Sequence, residues 1–169
     1  MRLPAILLVC TAALLAGCAG YHLGPVDGGT ARARSIEILP FNNQTLQPRL
    51  GDAVTQALRE RMQVDVTYRL ATHGDGDVVV SGVITRYHRQ GLSYLNKDAT
   101  TTQNYRVDIV AHVIARERAT GKKLLDKDVS AYTLVNVGND LASSERQASP
   151  LLAEDLARNI AEKLTDGAW

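Results

Sequence analysis

The sequence predicts an α+β fold, a two-layer sandwich with two helices packed on one face of a mostly antiparallel sheet, in the order β-α-β-β-β-β-α. Three observations carry that prediction. Two segments repeat apolar residues at steps of four, Leu50-Val54-Leu58-Met62 and Leu152-Leu156-Ile160-Leu164, the spacing of an amphipathic helix. Between them lie runs that alternate apolar and polar residues, as half-buried strands do. Each helix then has one apolar stripe and the sheet one apolar face, and two layers bury all three most economically.

The elements follow in order. Ser35-Ile36-Glu37-Ile38-Leu39 alternates and runs into Pro40, which ends a strand because proline has no N–H for the ladder. Pro48 suits a first helical turn. The helix that follows has Ala53 and Ala57 beside its stripe and Thr55, Gln56, Arg59 and Glu60 on the face expected to meet solvent. Residues 64–70 (VDVTYRL) alternate as a second strand, and 73–77 (HGDGD) read as a turn. Residues 78–87 form a long β-rich run in which Gly82 marks a bulge or twist. A polar excursion, 91–102, leads to a strand from Asn104 to Arg118 with Tyr105, Val107, Ile109, Ala111 and Val113 on one face. The turn at 119–122 (ATGK) folds Leu124–Val137 back antiparallel. In the closing helix, Ser149-Pro150 is either the N-cap and first residue or a kink in a helix that starts near Ser143.

Ahead of this domain (34–169) the chain has a different character. Arg2 precedes an apolar run, Leu3 to Leu14, which ends in Leu15-Ala16-Gly17-Cys18. A charged start, an apolar middle and small residues before a cut make residues 1–17 a secretory signal peptide. The residue after the cut is cysteine, and the pattern resembles the lipobox of bacterial lipoproteins, which makes Cys18 the lipid-attachment residue. The apolar run is shorter than the roughly 20 residues of a spanning helix, so the acylated Cys18 is the expected membrane anchor, each buried methylene contributing about 0.8 kcal/mol. Ala19 follows Cys18 where the inner-membrane sorting rule of enteric bacteria places Asp, which favours the outer membrane. Residues 18–33 hold four glycines, a proline and no sustained apolar period, and read as the lipidated N-terminus and a flexible tether. Fully extended, that tether reaches at most about 50 Å.

Composition narrows the function. The chain carries 19 Lys+Arg against 18 Asp+Glu, so it lacks the basic excess of a nucleic-acid binder. Cys10 lies in the signal, leaving Cys18 as the only mature cysteine; neither an internal disulfide nor a cysteine-based site is available. The four histidines, His22, His73, His88 and His112, fall at no metal-ligand spacing. Gly74-Asp75-Gly76-Asp77 lacks the further ligands of a calcium loop and reads as a turn. No nucleophile elbow, phosphate-cradling loop or dinucleotide fingerprint occurs, so neither an enzyme nor a cofactor is expected. One region is suggestive: Arg86, His88, Arg89, Lys97 and Arg106 interleave with Tyr87, Tyr94 and Tyr105 at the ends of two long neighbouring strands. If those strands pair, the charges gather at one tip, where Arg and Lys suit phosphates and Tyr suits sugars or acyl chains. The alternative is a solvated strand end whose charges discourage edge-to-edge pairing.

The order of these segments resembles a known family. CAGYHLGP, SIEILPFNNQTLQPRL before a helix, VSGVITRY and NYRVDIVAHV around a polar loop, ATGKKLLDKDVSAYT and the closing LLAEDLARNIAEKL together resemble the LPS-assembly lipoproteins (LptE-like). That resemblance implies a non-enzymatic outer-membrane lipoprotein on the periplasmic face. It would act as a plug in a large LptD-like β-barrel that carries lipopolysaccharide (LPS) to the outer leaflet. Under it, Arg86, Arg89, Lys97 and Arg106 are candidate LPS contacts from charge and position. The rival expectation is a lipoprotein regulator of a cell-wall synthase or a secretion complex, but the short tether favours a partner at the membrane itself.

Overall fold

The structure, a computed structural model, describes residues 34–65, 67–95, 98–137 and 140–166. Strands β1 (Arg34–Ile38) and β2 (Asn42–Asn43) precede helix α1 (Leu50–Val64). Strands β3 (Tyr68–Leu70), β4 (Val78–Leu95), β5 (Asp98–Glu117) and β6 (Lys123–Asn136) follow, and helix α2 (Leu141–Thr165) closes the chain. The sheet order is β3-β1-β4-β5-β6, with β2 pairing β4 beside that path. The three long strands pair antiparallel, whereas β1 runs parallel to both β3 and β4. This is the predicted α+β arrangement of two helices on a mostly antiparallel sheet.

The helix stripes and one sheet face form a single core. Leu50, Val54, Leu58 and Met62 of α1 and Leu152, Leu156, Ile160 and Leu164 of α2 are buried with Ile36, Val80, Ile84 and Val107 through Ala115 at alternate positions. Ala153, Ala157 and Ala161 are buried too, small residues that let neighbouring backbone approach. At the end of α2, the Tyr68 hydroxyl donates to the Leu164 carbonyl at 3.2 Å, tying the helix to β3. Burial pushes the Tyr68 phenol above its ordinary pKa. No buried side-chain polar atom among the described residues lacks a partner.

Several local expectations change. Residues 64–70 are not one strand. Val64 ends α1 and is exposed, and Thr67 N–H donates to Asp65 Oδ1 at 2.7 Å, so a turn leaves only Tyr68–Leu70 for β3. The excursion at 91–102 is largely strand, because β4 continues to Leu95 and β5 begins at Asp98. The helix reading with an internal proline is the one observed: α2 starts at Leu141, Asp140 caps it by accepting from Ser143 N–H at 3.0 Å, and Pro150 lies inside.

Two residues of the polar face of α1 are not in solvent. Thr55 is buried, accepting from Phe41 N–H at 2.9 Å and donating to the Gly51 carbonyl at 2.7 Å. Arg59 is half-buried and donates to the Ile38 carbonyl at 2.8 Å. Both serve the chain as it passes from β1 to β2.

Gly82 is not a bulge. The Phe41 ring lies over it, and a Cβ there would come within 2.6 Å of three ring carbons. The register shift falls instead between Ile84 and Arg86, which pair with Ala111 and Val110 and leave Thr85 as the extra residue.

Leu58→Ala and Leu156→Ala should each cost about 2–5 kcal/mol in urea unfolding, with Arg59→Ala nearer 1 kcal/mol for its lost hydrogen bond. Gly82→Ala should cost about 1–3 kcal/mol through overpacking. Adding Phe41→Leu should make the Gly82→Ala loss smaller; an additive double mutant would show that the ring is not what excludes the methyl.

Candidate functional site

The bulge at Thr85 decides which way the basic residues point. Along β4, Val78, Val80 and Ile84 face the helices. Without an extra residue, Arg86 would continue that row. With it, Tyr87 joins the core and Arg89 follows on the helix-covered side, while Arg86 and His88 turn to the open face. Arg86 sits opposite Val110, His88 opposite Asp108, and Gln90 opposite Arg106. Arg86 and Arg106 therefore share the open face and Arg89 is on the other. Lys97, the Tyr94 side chain and Cys18 lie outside the described residues.

On the helix-covered side the arrangement is a closed ion pair. Glu145, from the first turns of α2, is buried at 8% exposure and reaches Arg89, whose Nη1 is 3.2 Å from Oε1. The Tyr87 hydroxyl donates to the same carboxylate at 3.5 Å. Burial, reinforced by the charge of Glu145, pushes the Tyr87 phenol up to about 12. The sequence carried a signal for this pair: Glu145 lies seven residues before Leu152, on the apolar stripe of α2.

The open face is wetter. Arg106 Nε donates to Asp108 Oδ1 at 2.9 Å, and its guanidinium lies 3.9 Å above the centre of the Tyr132 ring, a cation–π contact. Leu134 stands opposite Arg106 on β6 and is 64% exposed, next to the half-exposed Tyr132. Cation, aromatic ring and aliphatic side chain thus meet on one surface near the far end of the sheet. Arg86 has no ion-pair partner among the described residues.

Further along the same face, His112 lies between two carboxylates, Nε2 3.1 Å from Asp126 and Nδ1 2.8 Å from Asp128. A hydrogen bond from Lys123 holds Asp126 below the usual carboxylate range. The carboxylates approach opposite ring nitrogens, and among the described residues no group of three or more His, Cys, Asp or Glu is placed to hold a metal ion.

A family model for lipopolysaccharide assembly, LptE, matches residues 33–166. The chain belongs to the LptE family. At family level its function is LPS assembly, an accessory role. Three solved structures are similar to it. A hypothetical protein from Chlamydia trachomatis aligns with TM-score 0.58 at 13% identity, covering 79% of this chain and 97% of its own. A protein from Xanthomonas campestris aligns at 0.55 and 8%, covering 79% and 85%. A minor lipoprotein from Acinetobacter baumannii aligns at 0.50 and 14%, covering 79% and 94%. At such identities these likenesses establish the fold that the LptE-family chain shares with them, and nothing finer. No curated protein sequence matches the chain significantly.

The Tyr87–Glu145 contact has a signature in alkaline solution. The unfolded phenol ionises near pH 10 and the folded one near 12, so between these values the folded state holds more protons and stability falls as pH rises. Tyr87→Phe should flatten that part of the pH dependence, measured by urea unfolding from pH 9 to 11.5. An unchanged slope would assign the alkaline loss to other groups.

Proposed function

We propose that this chain is an outer-membrane lipoprotein, anchored on the periplasmic side through Cys18, that serves as the non-enzymatic plug of a β-barrel delivering LPS to the outer leaflet. The family match across residues 33–166 carries this reading. The open-face cluster supports it. Lipid A presents phosphates beside acyl chains; Arg106 stands beside exposed Tyr132 and Leu134, and Arg86 lies on the same face on the neighbouring strand, four residues from the position opposite Arg106. Arginine suits phosphate because its planar fork gives two parallel hydrogen bonds.

The surface is tested by LPS binding to the folded domain. Arg86→Gln with Arg106→Gln removes both charges without setting an acid against Asp108, and should weaken binding about tenfold, or about 1.4 kcal/mol. Stability should move by under about 1 kcal/mol, the usual worth of exposed pairs. Binding should also fall with salt, since screening acts over about 8 Å at physiological ionic strength. Arg89 is a poor choice for reversal, because Arg89→Glu would face the buried Glu145. Undiminished binding by the folded double variant would remove this surface from the reading. Wild type that binds no LPS and brings down no barrel would remove the reading itself.

The anchor is tested separately. Mass spectrometry of the native N-terminus should find an acylated Cys18, and Cys18→Ala should release the protein from the membrane or block its processing. An unmodified Cys18 would refute the lipoprotein assignment.

A further inference from the structure

Among the described residues strand β6 ends the sheet, so one side of its backbone has no neighbouring strand there. Which residues face outward follows from two bonds. Val137 N–H donates to the Gln103 carbonyl at 2.8 Å, so the odd-numbered residues turn their backbone toward β5. The Ser130 carbonyl accepts from Asn159 Nδ2 of α2 at 2.8 Å, so the even-numbered residues turn theirs away. Alternation leaves the N–H and C=O of Tyr132, Leu134 and Asn136 pointing off the edge.

The first half of this edge is protected and the second half is not. Residues 122–128 (KKLLDKD) carry five charges, the usual guard against edge pairing. Asn159 then closes the edge at Ser130. From Val129 to Val137 there is no charge and no proline. That stretch borders a groove of about 630 Å³ whose other wall is Asp155, Arg158 and Asn159 of α2. The charges lining the groove are already neutralised within the chain, Arg106 by Asp108 and Arg158 by Asp155.

We infer that the outer edge of β6 at Tyr132–Asn136 accepts an extended, uncharged segment of the membrane partner as an added strand. Backbone bonding supplies the attraction and alternate side chains the selectivity, as in other strand additions. Side chains of the added strand that lie on the open face meet exposed Tyr132 and Leu134 and are apolar. Those on the other side meet the polar wall of α2. An uncharged segment suits a groove whose charges balance, two arginines each paired with an aspartate of the chain. A second copy is the poorer occupant. Two such edges would overlap only over 132–136, far less contact than the roughly 1,200 Å² of a stable association. A partner held at the same membrane needs less, because tethering raises its effective concentration. A closed barrel has no free strand edge of its own, so the segment comes from a loop or terminus. The inference rests on the proposed function for the identity of the partner, but not for the mode of contact.

Hydrogen exchange at single-residue resolution tests the mode, comparing the isolated protein with the full chain purified with its membrane partner. In the isolated protein the Tyr132, Leu134 and Asn136 amides should exchange freely while Thr133 and Val135 are protected. In the complex the first three should slow at least a hundredfold. Leu134→Pro removes an outward N–H and leaves the ladder to β5 intact, so it should cut co-purification at least tenfold while circular dichroism stays native. Exchange decides the matter even if that variant misfolds. A photo-crosslinker at Leu134 in intact cells names the occupant. Free exchange of all three amides in a complex that still co-purifies overturns the inference and leaves the proposed function standing. Crosslinking to a second copy also overturns it. Protection with crosslinks to a protein that is not a barrel upholds the added strand and overturns the proposed partner.

Discussion

A strand gains about 3.3 Å per residue and a helix 1.5 Å, and this mismatch of lengths governs the molecule. The 25 residues of α2 span about 37 Å and the 20 of β5 up to about 66 Å. One helix laid along the sheet therefore covers little more than half of it. From Val78 to Arg89 on β4 the rise is near the length of α2, and over that stretch the helix-facing side chains are core or, at Arg89, paired with α2. Beyond it, Tyr105 and Val135, in the row of Gly91, still pack against the core. The alternation of large apolar residues gives way there to Gly91, Ser93 and Asn104, and the register becomes irregular between Gly91 and Leu95. The described domain thus has a packed half that holds the fold and a second half whose side chains are smaller and more polar.

The bulge at Thr85 lies close to where these halves meet. Before it, even-numbered residues of β4 face the helices; after it, odd-numbered ones do. Tyr87 can then roof the end of the core, and Arg89 can reach Glu145 at the start of α2. That contact sits in the stretch of the helix before Pro150, whose missing N–H leaves the Arg146 carbonyl without its helical donor. The carboxylate buried at Glu145 fixes where this stretch lies against the sheet, because an unpaired charge there would be costly. One inserted residue thus sets both the direction of the basic side chains and the seat of the second helix.

Much of this was legible from the sequence, for identifiable reasons. The fourfold steps of both helices and the alternation of Tyr105 through Val113 are periodic signals, and burial enforces them. What escaped depends on a second partner in space. Residues 64–70 alternate well enough for a strand, yet Asp65 makes a local turn that no periodicity reports. Thr55 and Arg59 read as solvent-facing because the chain leaving β1, which they bond, is distant in sequence. Arg86 and Arg89 are an odd number of residues apart and so belong on opposite faces of a continuous strand. Which face each took depended on the bulge. The break in apolar parity from Ile84 to Tyr87 was its trace in the sequence, whereas Gly82 drew attention for a different reason, the ring above it.

The split also separates two kinds of cation. Arg89 is paired through Nη1 with the buried Glu145 carboxylate, which would repel an anion arriving beside it. Arg106 is half-committed. One of its five donors is on Asp108 and its face on Tyr132, which orients the plane and leaves the remaining N–H groups available. Arg86 has no ionic partner at all among the described residues. A phosphate arriving at this sheet therefore gains most and disrupts least on the open face. There one guanidinium is already fixed in orientation by its ring and another is unopposed. The helix-covered pair serves the fold and the proposed ligand falls to the open-face arginines, although the sequence presents all of them as one basic cluster.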